Sequence, residues 1–241
     1  MTTLPTKRDE AWRYADLDAV ARLWPLPAPE QIHVPDDGAF ARVIRQDAGG
    51  ITQIDLTVGR QATAAIHILN CGPTYGRIEL NVTLLHGADF MLGAAQIGGQ
   101  GQTLEIITNV THAEPEAKSR QIVRSVLAHQ ATGTYLGKVA VARGAQHTDS
   151  EQSVKALLLD RTATANAKPE LEIYADDVAC AHGCAIGELD AMALFYLQSR
   201  GLAPADAKAL LVQAFIAEVF EGTTEADDLQ AQALAKLGDV L

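Results

Sequence analysis

Apolar and polar side chains alternate along much of the chain between residues 39 and 187. The runs Ile51–Val58 and Arg77–Leu84 show the pattern clearly. Successive side chains of a β-strand point to opposite sides, so this alternation is typical of a strand with one buried face. Hardly any helical periodicity interrupts it, which predicts an all-β body. The predicted strands are Phe40–Arg45, Ile51–Val58, Thr63–Leu69, Arg77–Leu85, Phe90–Ile97, Thr103–Val110, Gln121–Leu127, Thr134–Ala142, Ser153–Leu159, Glu170–Tyr174 and Val178–Ile186.

The turns between these runs favour a solenoid over a meander of hairpins. A two-residue hairpin turn usually carries Asn-Gly or Asp-Gly, and neither pair occurs between the predicted strands. Strands that turn corners and continue in the same sense, as in a β-helix, need no such turn. We therefore expect a β-solenoid, with a β-sandwich as the alternative.

Both ends of the chain depart from the strand pattern. Residues 1–36 predict a short helical segment followed by a linker, because the prolines between positions 25 and 35 cannot continue a helix. Residues 37–187 form the predicted β body. In residues 188–241 the apolar spacing becomes helical, from Leu189–Arg200 to a last helix at Glu225–Leu241. The sequence thus predicts three segments, with a helical region at the carboxyl end.

The composition excludes several classes of protein. A net charge of −11 and a pI of about 5.0 argue against a nucleic-acid-binding surface, which needs a basic stripe. No apolar run approaches the roughly 18 residues of a membrane helix. The first residues lack an apolar signal core, so we expect a cytoplasmic protein. The 3 cysteines have no paired spacing and do not indicate a disulfide framework.

The stretch Asp176–Gly187 concentrates the chemistry-bearing residues. On a strand, Cys180, His182 and Cys184 share one face, while the opposite face carries mostly Ala and Gly. A row of thiols and an imidazole suits soft metal ions. Free cysteine is also among the most buried residue types, so core packing with an internal histidine is the more frequent origin of such spacing. Both interpretations stay open at this point.

The sequence offers little support for an enzyme. Gly-rich phosphate loops, the Gly-x-Ser-x-Gly elbow and the His-Glu-x-x-His and Cys-x-x-Cys zinc spacings are all absent. Cys180 and His182 would point in parallel from one strand, which is a poor geometry for a catalytic dyad. A stand-alone metalloenzyme that uses Cys180, His182 and Cys184 is the enzyme alternative.

Several segments carry recognisable motifs. They are Arg8–Leu17, His147–Gln152, Lys168–Gly183 followed by Ile186-Gly187, and Ala193–Leu202. Together they resemble the SufB/SufD family, whose members are scaffold subunits of the Suf iron–sulfur cluster assembly machinery. The resemblance follows the family's order over almost the whole chain, and the Cys-x-His-Gly pattern is closer to SufD than to SufB. It implies a right-handed parallel β-helix with helical termini.

The resemblance also implies a function. A SufD-like subunit is expected to be a non-enzymatic scaffold that pairs with SufB through the β-helix and docks the ATPase SufC on its carboxy-terminal helices. A homodimeric, SufB-like scaffold is the alternative. The isolated chain would hold no cofactor tightly, and an iron–sulfur cluster would be bound transiently in the complex.

Individual residues take roles by the same resemblance. The histidine that matches His182 lies at the SufB–SufD interface in the family and takes part in nascent cluster formation, and Cys180 is carried over as its neighbour. Both are expected to contact metal transiently and to share it with the partner chain. Cys184 departs from the family pattern, which commonly has Ala there. The candidate anchors for SufC are aromatic: Phe195, Tyr196, Phe215 and Phe220.

Overall fold

The computed structural model describes residues 3–238 and residue 240. Its body consists of two six-stranded sheets. Every strand is parallel to its neighbours in the sheet. The strands are β1 (Glu30–Val34), β2 (Ala39–Gln46), β3 (Gly50–Val58), β4 (Thr63–Asn70), β5 (Tyr75–Leu84), β6 (Asp89–Gly98), β7 (Thr103–His112), β8 (Lys118–Leu127), β9 (Thr132–Val141), β10 (Asp149–Leu158), β11 (Thr164–Ile173) and β12 (Ala179–Gly187).

Odd-numbered and even-numbered strands lie in different sheets. The odd-strand sheet has the order β1-β3-β5-β7-β9-β11, and the even-strand sheet has the order β12-β10-β8-β6-β4-β2. The chain therefore crosses from one sheet to the other after every strand, and each coil adds one strand to each sheet. A β-sandwich has antiparallel strands. The parallel β-helix is thus confirmed, and the sandwich alternative is wrong.

The corners of the coils explain why hairpin signals are scarce. At one corner of successive coils a residue adopts a positive φ, as Gln61 and Glu116 do. The backbone N–H of Gln61 donates to the His86 carbonyl at 2.8 Å, and that of Glu116 donates to the Gln146 carbonyl at 2.9 Å. Each corner is therefore bonded to the next coil, and the chain turns without reversing its direction.

Inward-facing side chains of the two sheets form the core. Because strands pair in register, equivalent positions of the even-strand sheet fall in columns along the axis. One column contains Ile66, Leu92, Gln121 and Gln152, and the next contains Ile68, Ala94, Val123 and Val154, all of them buried. The core is therefore apolar in the first coils and partly polar in the last.

Three strands differ clearly from the pattern predicted from the sequence. β11 begins at Thr164, six residues before the predicted start at Glu170. β1 lies in the proline-rich segment, where no strand is predicted. It is an edge strand between Pro29 and Pro35, and an edge tolerates the missing N–H of a neighbouring proline. β10 begins at Asp149, well before its predicted start, because Ser150 and Gln152 face the interior although they are polar. Alternation of polarity does not reveal such a strand.

The amino-terminal helices cover the outer face of the odd-strand sheet. A 3-10 helix spans Glu10–Trp12, and α1 spans Leu17–Leu23. The guanidinium of Arg77 lies 3.9 Å from the centroid of the Trp12 ring. Arg77 also forms an ion pair with Glu105, and both side chains are completely buried. The amino-terminal segment therefore shields a charged pair from water.

The carboxy-terminal helices are α2 (Ala191–Ser199), α3 (Pro204–Ala217) and α4 (Ala226–Gly238), with a 3-10 turn at Glu218–Phe220. Buried side chains of α3, the 3-10 turn and α4 pack on apolar residues of β4, β6 and β8. Gly93 permits this approach, since a Cβ there would collide with the Val219 carbonyl oxygen. α2 packs on α3 but has no fully buried residue. None of the helices in the described part of the chain is long and apolar enough to span a membrane.

Candidate functional site

The candidate ligands lie on the last strand of the even-strand sheet. β12 pairs with β10, and no described strand lies along its other edge. The register places the three ligands beside residues of β10: Cys180 beside Ser150, His182 beside Gln152, and Cys184 beside Val154. All three β10 residues are buried, so the β12 side chains extend inward-facing columns. The three candidates therefore share one face, as strand geometry predicts.

Exposure separates these three side chains. Cys180 is partly buried and packs against the interior cluster, whereas His182 and Cys184 are exposed. β12 and β11 are the outermost strands of their sheets, and no described coil covers them. Core packing therefore does not explain why Cys180, His182 and Cys184 share one face, because His182 and Cys184 are exposed.

The surroundings favour the protonated form of both thiols. Burial raises the pKa of Cys180, and the Asp149 carboxylate raises it further, while a backbone hydrogen bond from Ser150 opposes the shift. Burial also raises the pKa of Cys184. A nucleophilic cysteine needs a lowered pKa and an electropositive setting. Neither thiol has a lowered pKa in this structure.

The candidate ligands do not form a complete metal site within the described part of the chain. Within residues 3–238 and 240, no three His, Cys, Asp or Glu side chains are grouped closely enough to hold a metal ion. Cys180 and His182 are still suitable donors, since thiolate and imidazole both ligate iron in clusters. A metal ion held by Cys180 and His182 would need further ligands beyond these two side chains.

The interior beneath His182 is polar and hydrogen-bonded. The Tyr135 hydroxyl donates to Gln121 Oε1 at 3.1 Å and accepts from Gln152 Nε2 at 3.2 Å. The Thr108 hydroxyl donates to the same Gln121 oxygen at 2.9 Å. All four of these side chains are buried. They form a network that ends one strand before His182.

A second set of polar contacts lies beneath Cys180. His112 Nε2 is 2.9 Å from Ser119 Oγ, which is 2.9 Å from Ser150 Oγ. Ser150 is the β10 neighbour of Cys180. Burial lowers the pKa of His112 to about 4, so its ring is neutral at physiological pH. The contacts beneath Cys180 are therefore made by uncharged groups.

Sequence reasoning missed these interior residues, although a signal for them exists. Ser119-x-Gln121, Ser150-x-Gln152 and Cys180-x-His182 occupy equivalent positions of β8, β10 and β12. The same polar-x-polar pattern therefore recurs once per coil. A search for repeats in the polar residues, rather than in the apolar ones, would have found it.

The four predicted aromatic anchors have different environments. Phe195 and Tyr196 are 65% and 56% exposed on α2. Phe215 is partly buried, and its ring centroid lies 6.0 Å from the Arg124 guanidinium. Phe220 is only 2% exposed, because it belongs to the 3-10 turn that packs on the even-strand sheet. The expectation that Phe220 is a surface anchor is therefore corrected, since its side chain belongs to the core.

Comparison with known proteins identifies the family. Residues 41–215 match the family model described as SUF system FeS cluster assembly, SufBD core domain. The chain belongs to the SufBD family of iron–sulfur cluster assembly proteins. The resemblance seen in the sequence motifs is thereby confirmed. The matched region includes β3 to β12, α2 and most of α3.

Curated relatives of the SufBD family are similar over much of the chain. SufD of Escherichia coli (strain K12) is 32% identical over 189 residues, which cover 78% of this chain and 44% of SufD. A SufBD family protein of Synechocystis is 32% identical over 198 residues, 79% of this chain and 43% of its own. The chloroplastic protein ABCI7 of Arabidopsis thaliana is 40% identical over 121 residues, 50% of this chain and 26% of its own. The chain thus spans less than half the length of each.

Proposed function

We propose that this chain is a SufD-like scaffold subunit. It pairs with SufB, docks the ATPase SufC, and supplies Cys180 and His182 to an iron–sulfur cluster that is built at the subunit interface. The cluster is cargo that the chain holds transiently. The chain itself catalyses no reaction in this proposal.

The open end of the β-helix carries the proposal. β11 and β12 are the outermost strands, and the free edge of each presents unpaired N–H and C=O groups. Such an edge is a template for a strand from a second chain. A Cβ added to Gly183 or Gly187 would meet no atom within 4 Å. The outward face of β12 therefore does not obstruct a partner.

A strand added to this edge would lie beside the ligand row. Neighbouring strands are about 4.8 Å apart, which brings side chains of a partner strand next to Cys180 and His182. The partner would then cover the exposed imidazole and contribute the ligands that a single chain lacks. A metal site shared between the two chains is chemically reasonable because Cys180 and His182 would lie at their interface.

An apolar surface on α2 and α3 supports docking of SufC. Met192, Phe195 and Tyr196 are 73%, 65% and 56% exposed, and Leu210 on α3 is 45% exposed. Met192, Phe195 and Tyr196 share one face of α2, because they are three and four residues apart. Exposed apolar patches often mark partner surfaces. α3 leads into the 3-10 turn that packs on the even-strand sheet. A partner bound here would therefore be linked to the β-helix through packed side chains.

Replacement of His182 tests the shared site. In a complex with SufB and SufC, His182→Ala should abolish cluster formation and leave the assembly of the subunits intact, because the backbone of the edge strand is unchanged. Iron and acid-labile sulfide contents measure the first effect, and copurification measures the second. His33→Ala is the control, since His33 is also exposed but lies on β1 at the opposite end. Normal cluster content in the His182→Ala complex would refute the role of this residue.

Native mass spectrometry tests the choice of partner. The chain is measured alone, with SufB, and with SufB and SufC together. A complex that contains all three proteins is expected. A homodimer that persists when SufB is present would instead favour the homodimeric, SufB-like scaffold.

Paired replacement of two exposed aromatics tests the docking surface. Phe195→Ala combined with Tyr196→Ala should weaken copurification with SufC and leave pairing with SufB unchanged, because neither side chain is buried. Tyr14→Ala, at an exposed tyrosine near the amino end, is the control. Undiminished binding of SufC by the double variant would place the docking surface elsewhere.

A further inference from the structure

One column of the even-strand sheet leads directly to His182. Gln121, Gln152 and His182 occupy equivalent positions on β8, β10 and β12. Gln121 and Gln152 are 0% and 1% exposed. In-register neighbours of a parallel sheet project to the same side, about 4.8 Å apart. The imidazole of His182 is thus the next polar group after the Gln152 amide.

The Gln152 amide is only half satisfied. Its Nε2 donates to the Tyr135 hydroxyl, whose own hydrogen goes to Gln121 Oε1. This arrangement assigns the other amide atom of Gln152 as Oε1, and that atom has no hydrogen-bond partner among the described residues. A buried acceptor without a donor is destabilising by about 1–3 kcal/mol. The position therefore calls for a donor.

Two groups flank this oxygen in the column, and neither is hydrogen-bonded to it in this structure. A carbonyl oxygen has two acceptor positions. The Gln121 Nε2 on the preceding coil is buried and also unpaired among these residues, so it suits one of them. On the outer side, the column contains His182 and nothing further. An N–H of the imidazole suits the second position.

We propose that Gln152 is a positioning residue for His182. Its Oε1 accepts the N–H of one ring nitrogen and thereby fixes the tautomer, so that the other nitrogen presents its lone pair to iron at the open end. Histidine ligands generally donate their second ring N–H to such an acceptor. The proposal rests on the proposed function, because it gives His182 the role of a ligand. Cys184 has no comparable support, since its column continues to Val154.

The tautomer of His182 is the decisive observable. Two-bond couplings in the NMR spectrum of the full ¹⁵N-histidine-labelled chain, recorded where the imidazole is neutral, distinguish the two tautomers. We expect the folded protein to favour one tautomer of His182 more strongly than the urea-unfolded protein does. A single net hydrogen bond corresponds to roughly a fivefold change in this ratio. Gln152→Met, which keeps the length of the side chain but removes the acceptor, should return the ratio to the unfolded value.

Two further variants separate positioning from packing. Gln152→Glu retains an acceptor and should retain the biased ratio. Val154→Ala alters the buried neighbour of Cys184 and should leave the ratio unchanged. The exposed His33 serves as an internal control in every spectrum. An equal ratio in the folded and the unfolded wild-type chain would overturn the proposal, even if Gln152→Met did not fold.

The readout is independent of cluster formation, because it requires neither SufB nor iron. Normal clusters in the His182→Ala complex would remove the proposed function but not the hydrogen bond. Conversely, an unbiased tautomer together with loss of clusters in His182→Ala would remove only the positioning role of Gln152.

Discussion

The first and last coils of the β-helix fill the same inward positions with different side chains. In β4 and β6 these positions hold Ala64, Ile66, Ile68, Phe90, Leu92 and Ala94. In β8 and β10 the corresponding positions hold Ser119, Gln121, Val123, Ser150, Gln152 and Val154. The column of Val123 and Val154, which ends at Cys184, thus stays apolar throughout. The other two become polar, and they end at Cys180 and His182.

The difference shows that interior polarity follows the candidate ligands Cys180 and His182 and not the coil. A buried polar group is destabilising unless it is hydrogen-bonded, and its hydrogen bonds mostly offset that loss. Apolar side chains at the same positions would stabilise the fold more. The polar side chains beneath Cys180 and His182 therefore stabilise the last coils less than apolar ones would. The apolar first coils contribute more to the free energy of unfolding.

The largest effect is expected in the apolar half. Leu92→Ala removes a side chain with 0% exposure, and such a truncation lowers the free energy of unfolding by about 2–5 kcal/mol. Gln121→Met, in the same column one coil later, keeps the volume and should be less destabilising. Urea denaturation measures both. If Gln121→Met proved the more harmful of the two, the contrast between the halves would be lost.

Acidification should weaken the polar half through His112. Its pKa is lowered from 6.5 to about 4 in the folded chain, so between these values the unfolded chain binds a proton that the folded chain does not. The contribution of His112 is complete above pH 6.5 and falls by roughly 3 kcal/mol as the pH drops to 4. His112→Gln should lack this loss. Unfolding free energies at pH 7.5 and 4.5 test it, and equal losses in both proteins would contradict a neutral buried ring.

A smaller effect is expected from the hydroxyls beneath Cys180. Ser150→Ala removes the hydrogen bond of 2.9 Å to Ser119, while Ser119 keeps its contact with His112. The free energy of unfolding should fall by about 1 kcal/mol, the net value of one hydrogen bond. Lys155→Ala on the same strand, at an exposed outward position, is a suitable comparison for chemical denaturation. A gain in stability would show that Ser150 has no such bond.

The smallest effect is expected at the end of the apolar column. Cys184→Ala changes an exposed side chain and should alter the free energy of unfolding by no more than about 0.5 kcal/mol. Cys180→Ala should be more destabilising, because Cys180 packs on the interior cluster. Thermal unfolding of the two variants shows which substitution is the more destabilising. The reverse order would mean that the two columns do not differ at the open end.

The strands were predictable where their inward side chains are apolar. β5 alternates from Arg77 to Leu84, and the sequence predicts it nearly in full. The start of β10 was not predictable in this way, because Ser150 and Gln152 are inward and polar. β1 was hidden by the prolines at its ends. Alternating polarity predicts a strand only when its buried side chains are apolar. The prediction fails where the buried side chains are polar, as in β10.

The candidate site was predictable only in part. The shared face of Cys180 and His182 follows from the period of a strand, but their exposure depends on β12 being outermost, which no local pattern encodes. Phe220 illustrates the same limit on a helical segment. Apolar spacing indicates that a face is covered, yet whether the sheet or a partner covers it is decided by the tertiary fold.

The stacked corners have a consequence for how such a protein changes in length. The corner backbone bonds to the neighbouring coil, as Gln61 bonds to His86, so the coils repeat as units along the axis. Among side chains, Arg60 also reaches Glu114 two coils away. Loss or gain of a whole coil ahead of β8 would move the open end by about 4.8 Å and leave the side chains beneath it in place. The length of the β-helix and the side chains beneath its open end can therefore change independently. Evolution can alter the number of coils without replacing the residues near Cys180 and His182.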